Sequence, residues 1–117
     1  MKYFELKEFE SPDSPGSGKN MNPCFLTRLD LAREYSLVPF IINSGFRTKK
    51  HNIFVKGSDN SSHLKGYAAD IHCSDSRSRK KIITALLGVG FNRIGIAKTF
   101  IHVDSCPDKD PDVIWVY

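Results

Sequence analysis

No apolar stretch of this sequence is long enough to cross a membrane. The longest, such as Leu37–Ile42 and Val113–Tyr117, fall far short of the roughly 20 residues a helical span requires, so no membrane partner is expected. The first residues, Met1-Lys2-Tyr3-Phe4-Glu5-Leu6-Lys7-Glu8, lack the apolar core and small-residue cleavage site of a secretory signal. Cytoplasmic synthesis without a signal peptide is the expectation. Cysteine is scarce, with only Cys24, Cys73 and Cys106. An odd number without CxxC spacing argues against both a disulfide framework and a structural zinc knuckle, and reduced thiols are the default. Internal repeats and low-complexity tracts are missing too.

Charge of one sign is also in short supply. Seventeen Lys and Arg against thirteen Asp and Glu leave +4, a modest basic excess that helps approach to any polyanion but does not identify one. The single dense basic cluster, Arg77-Ser78-Arg79-Lys80-Lys81, has no interleaved aromatics and no RNP-like or zinc-finger pattern beside it. It reads as the wet face of a helix, and no nucleic-acid partner is expected. What is present suffices for one core: 117 residues, 40% of them hydrophobic, with eight Phe, four Tyr and one Trp. That is one domain over residues 1–117, since chains usually divide only well beyond about 150 residues. A monomer is the simplest state for it.

Local signals divide the chain. Ser11-Pro12-Asp13-Ser14-Pro15-Gly16-Ser17-Gly18 is a loop of φ-fixing prolines and permissive glycines. Asn22-Pro23 opens a first helix over 22–36, whose Phe25, Leu26, Leu29 and Ala32 fall near helical period. Val38–Asn43 reads as a buried strand ending at Ser44-Gly45. Thr48 caps a short helix over Lys49–Val55, followed by the polar loop Gly57–Ser62. Gly66–His72 reads as a strand, and Asp75 or Ser76 caps a helix running to Gly88. Short strands are expected at Arg93–Ile96, Phe100–Asp104 and Val113–Tyr117. The fold class is α+β, with helices packed on a small antiparallel sheet.

The chemistry gathers in two segments. Ser61-Ser62-His63-Leu64-Lys65-Gly66-Tyr67-Ala68-Ala69-Asp70 sets an imidazole and a carboxylate seven apart, where glycine and alanines let the backbone fold back closely. In Phe100-Ile101-His102-Val103-Asp104, strand alternation puts His102 and Asp104 on one face and Ile101 and Val103 on the other. Two histidines and one aspartate can hold Zn²⁺ through three ligands with a fourth position left for water, the open arrangement of a catalytic site. Taken bare, the same residues also suit satisfied structural roles.

The wording of these segments is more specific than their spacing. Ser61-x-His63-x-x-Gly66-x-Ala68-x-Asp70, preceded by Ser44-Gly45-Phe46-Arg47-Thr48 and followed by Phe100-Ile101-His102-Val103-Asp104, closely resembles the zinc D-Ala-D-Ala carboxypeptidase family. It is most similar to the small single-domain branch found in phage and bacterial genomes, from about Phe9 to Trp115. The resemblance implies a hedgehog/D-Ala-D-Ala-peptidase-like fold, with Zn²⁺ held by His63, Asp70 and His102 and with Arg47 facing the substrate. It implies hydrolysis of an amide bond in peptidoglycan stem peptides, one involving D-alanine, by a carboxypeptidase or an endolysin-type endopeptidase acting on the cell wall after phage-mediated release. An arginine in that position stabilises a tetrahedral oxyanion or grips a carboxylate bidentately.

In one place the sequence departs from the family. Many relatives carry Glu or Asp three residues before the last zinc histidine, and here that residue is Thr99, which cannot act as a base. Asp104 is the replacement candidate for the general base; its other reading is a carboxylate that orients a histidine ligand. The departure also keeps open a non-catalytic zinc-binding module that grips cell-wall peptides or a protein partner. Ser61 suits capping the loop that bears His63, or a substrate contact, and Trp115 suits either the cleft wall or the core. His51, His72, Cys73 and Cys106 lie near these segments in sequence without equally telling flanks.

Overall fold

Three capping residues legible in the sequence start the three helices. The computed structural model describes residues 1–117. In it Asn22 Oδ1 accepts from Phe25 N at 3.0 Å, Thr48 Oγ1 from His51 N at 3.1 Å, and Asp75 Oδ2 from Ser78 N at 2.9 Å. Each cap satisfies one of the otherwise orphaned donors of the first turn. The helices are α1 (Pro23–Ser36), α2 (Lys49–Phe54) and α3 (Ser76–Gly88). The basic cluster lies on α3, with Arg77, Lys80 and Lys81 exposed, while Ile82, Ala85 and Leu86 turn inward.

Five strands form one sheet: β1 (Ile42–Ser44), β2 (Ala68–His72), β3 (Arg93–Ile96), β4 (Phe100–Asp104) and β5 (Val113–Val116), in the order β1-β2-β4-β3-β5. The α+β class stands, with one refinement: β3 and β5 run parallel, so the sheet is mixed rather than wholly antiparallel. Both edges of β4 are already taken by β2 and β3. Because β4 ends beside the start of β3, residues 105–112 cross that end and lay β5 down antiparallel to β4, hence parallel to β3. The expected strand at Val38–Asn43 is realised only at Ile42–Ser44. Pro39 has no N–H for a ladder, and Phe40 instead buries its ring against Phe4.

One face of the sheet packs on α1 and α3. Its core joins Phe25, Leu29, Ile82 and Leu86 from the helices to Ile71, Ile94, Ile101 and Val103 from the strands, sealed by Phe4, Phe9 and Phe91. Leu29 and Leu86 are fully buried, and each such side chain contributes roughly 1.5 to 3 kcal/mol through its removal from water. The opposite face carries the polar residues of β2 and β4.

A bulge in β1 hands the chain from one face to the other. Ile42 pairs with Ile71 and Ser44 with Asp70, so two steps along β1 match one along β2. An extra residue of this kind re-aims the side chains that follow it, and Ser44 turns to the polar face. Gly45 then passes so close to Phe9 that a Cβ would lie 2.6 Å from its Cα. The Ser11–Gly18 loop braces this corner, since Thr48 Oγ1 donates to Asp13 Oδ2 at 2.6 Å and Thr48 N to Ser11 Oγ at 3.2 Å.

Candidate metal centre

Register places the central pair. Asp70 and His102 are direct partners across β2 and β4, and the same row continues through Ser44 on one side and through Gly95 to Trp115 on the other. His63 joins them from a 3₁₀ turn, Ser62–Lys65, at whose start Ser61 Oγ accepts from His63 N at 3.3 Å. His63, Asp70 and His102 are all buried, and one ligand atom from each lies within 4.8 Å of the others.

The donor set fits a cation. His63 Nδ1–H donates to the Gly45 carbonyl at 2.7 Å, which leaves the Nε2 lone pair facing Asp70 Oδ1 at 3.3 Å. His102 Nε2–H donates to Asp104 Oδ2 at 2.7 Å, which turns the Nδ1 lone pair toward the same Asp70 oxygen at 2.9 Å. Two imidazole lone pairs and a carboxylate oxygen thus converge on one point, which only a proton or a metal ion can relieve. In each ring the second nitrogen is tied to an oxygen, the arrangement that fixes tautomer and orientation in metal-binding histidines.

Electrostatics separate the two rings. Burial holds the His63 ring below the usual histidine range despite the neighbouring Asp70. Burial acts the same way on His102, but its hydrogen bonds to Asp104 and Asp70 outweigh it and raise the ring. Burial also opposes the charge on Asp70, yet the His102 and His63 rings, which hydrogen-bond to it when a proton occupies the shared point, hold its carboxyl well below the ordinary value.

Arg47 reaches this point from the corner after β1 and is clamped on three sides. Its Nε donates to Ser44 Oγ at 3.0 Å, Nη1 to Asn52 Oδ1 at 3.2 Å and Nη2 to Asp70 Oδ2 at 3.3 Å. Asn52, itself buried, is held in turn by donation to the Ser58 carbonyl at 2.9 Å. The guanidinium plane is therefore fixed while it still lines the cleft.

Asp104 lies behind His102 in the wall of the cleft, with 1% of its surface exposed. Its Oδ2 accepts from His102, and its Oδ1 accepts from Arg93 Nε at 2.7 Å and Cys106 N at 3.3 Å. Burial opposes its charge, but His102 and Arg93 hold the carboxyl low. Trp115 packs on His102 with ring centroids 5.4 Å apart. Gly95 makes room for it, because a Cβ there would sit 2.6 Å from the indole nitrogen.

The remaining candidates fall elsewhere. His51 stacks on Phe54 and lines a separate surface depression with Pro12 and Asp13. His72 shares the polar face of β2 but is exposed, one row from Asp70 opposite Phe100. Cys73 joins the apolar core, and Cys106 contributes its backbone N–H to Asp104; neither thiol belongs to the metal-binding group. Thr99 lies in the turn between β3 and β4.

Sequence reasoning missed Arg93, Asn52, Tyr117 and Lys109, which share the site. Arg93 alone left a trace, because in Arg93-Ile94-Gly95-Ile96 it alternates onto the face of Gly95, and a β3–β4 hairpin pairs it with Asp104. The cleft over the metal position has a volume of about 390 Å³. A larger groove of about 640 Å³ between the end of α1 and α3 carries no candidate catalytic group, so size is a poor guide to the chemistry here.

Comparison with known families adds one result. The family model described as Peptidase M15 matches residues 4–104, a span that includes every candidate metal ligand, Arg47 and Asp104. No curated protein matches the sequence.

Proposed function

This chain belongs to the Peptidase M15 family, and on that footing we propose that it hydrolyses an amide bond in peptidoglycan stem peptides, one involving D-alanine, with Zn²⁺ as its metal. The observation that carries the reading is the convergence of His63 Nε2, Asp70 Oδ1 and His102 Nδ1 beside a guanidinium fixed in the same cleft. His63, Asp70 and His102 would hold the Zn²⁺, which would supply Lewis acidity toward the scissile carbonyl and a water acidified to a pKa of about 7.

The chain's own residues supply the rest. Arg47 is a preorganised positive charge for the oxygen that becomes negative when the carbonyl is attacked. Its Ser44 and Asn52 partners remove the rotamer freedom a free arginine would lose on binding. Of the two roles the sequence left open for Asp104, the geometry supports orientation: both oxygens are engaged, and the one on His102 keeps Nδ1 free as a ligand atom. Asp104 is thus a positioning residue, backed by Arg93. Trp115 closes the site on the β5 side and excludes water from His102.

A second reading, a non-catalytic zinc module that grips wall peptides, is favoured by one feature. Every carboxylate lining the cleft is already committed to a partner, and Thr99 supplies none. Purified peptidoglycan incubated with the zinc-loaded protein, followed by mass spectrometry of the fragments, separates the two. Hydrolysis releases fragments with new ends at D-alanine, as expected of an endolysin-type enzyme acting at the wall. Binding without release would replace the hydrolase with the module.

A further inference from the structure

The cleft has more positive charge than its own acids can balance. Four cationic side chains line it, Arg47, Lys56, Arg93 and Lys109, against two carboxylates, Asp70 and Asp104. Asp70 is paired with Arg47, and Asp104 with Arg93. Lys56 and Lys109 have no carboxylate within ion-pairing distance.

The two lysines stand at different ends of the site. Lys56 precedes Gly57, which is packed against the Arg47 and Asn52 side chains, so it belongs to the Arg47 side. Its backbone sits at φ 58°, in the left-handed region that lysine rarely occupies. Lys109 belongs to the Asp104 side. The turn that carries it is pinned twice, by the Lys65–Asp108 ion pair and by Arg93 Nη1 donating to the Asp110 carbonyl. Its neighbour Asp108 is thereby turned away to Lys65, and half-buried Lys109 is left facing the cleft.

We propose that Lys56 and Lys109 read carboxylates on the substrate, one on each side of the scissile amide, so that the preferred substrate is an acidic peptide. The proposal rests on the peptidase reading above and narrows it. A cleft lined by unmatched cations, with Lys56 exposed and Lys109 half-buried, raises the local concentration of anionic chains. In a stem peptide the carboxylates have two sources: the chain terminus, and the α-carboxylate of a γ-linked glutamate.

Four forms of one stem peptide test this: both carboxylates free, the terminus amidated, the glutamate amidated, and both amidated. Cleavage rates and calorimetric affinities are measured on the zinc-loaded protein. The doubly acidic form should exceed the doubly amidated one by about three- to tenfold, the range for partly exposed charge pairs, and the advantage should shrink as salt rises. The single amides tell which carboxylate each lysine reads. Lys56→Gln and Lys109→Gln should each collapse the acid-over-amide ratio for one carboxylate, and Lys109→Arg should restore it. Ratios that survive both Gln substitutions overturn the proposal, as does equal handling of all four peptides by the unmodified protein. If none is cleaved, the peptidase reading fails, and the same affinity ratios still decide the lysines; no binding at all overturns them.

Discussion

The central residues on the two faces of β2 and β4 are all buried and are held by opposite means. On the helix side, Ile71, Ile101 and Val103 are fully buried and interact through area and shape alone. On the other side, Asp70, His102 and Asp104 are 8%, 7% and 1% exposed, and each persists only because a specific partner meets its charge or lone pair. Burial therefore says little about what a residue does in this sheet. An apolar group there is interchangeable with another of similar volume at modest cost, whereas removing one polar partner strands the other in a poorly solvated place.

Neighbouring residues on β4 offer the sharpest way to break this comparison. The largest effect is expected from His102→Ala, which should lose stoichiometric zinc by metal analysis, as should His63→Ala. Tight binding of one zinc per chain by either variant would contradict the assignment of these ligands. Next is Ile101→Ala, one residue away on the opposite face. It should cost about 2 to 5 kcal/mol in denaturant unfolding, the range for large-to-small core changes, with zinc stoichiometry unchanged in the folded fraction. If Ile101→Ala lost its metal while keeping its stability, the two faces would not be separable.

Arg47→Lys keeps the charge but loses the planar fork that meets Ser44, Asn52 and Asp70 together. Turnover of a stem peptide should fall about 100-fold, by analogy with loss of one preorganised oxyanion donor, with fold and zinc content retained. An undiminished rate would place Arg47 outside the reaction. The smallest effect is assigned to Asp104→Asn, whose zinc affinity should weaken roughly 10- to 100-fold, as for partners that orient metal-binding histidines. Excess zinc should restore most of its activity. A rate defect that persists at saturating zinc would instead make Asp104 the base.

Features set by near neighbours were readable in advance. Asn22, Thr48 and Asp75 cap helices through residues three positions on, and Phe100–Asp104 sorts its side chains by the period of a strand. The Val38–Asn43 expectation failed in part, because it weighs β-branched composition above the missing donor of Pro39, and composition could not show that Phe40 has a place beside Phe4. Nothing adjacent to Lys109 marks it, and Arg93 carries only the alternation of its own short strand, which names no partner until β3 pairs with β4.

The sequence by itself determined the helices, the alternation on β4 and, through the wording of its motifs, the His63, Asp70 and His102 set. Tertiary structure alone decided which polar groups become partners: Arg93 with Asp104, Asn52 with Arg47, the Gly45 carbonyl with His63 Nδ1, and Trp115 over Gly95. Capping and alternation depend on residues within about four positions along the chain. Those partnerships depend on strand register, a bulge in β1 and the path of residues 105–112, which are settled only when the whole apolar face finds its packing.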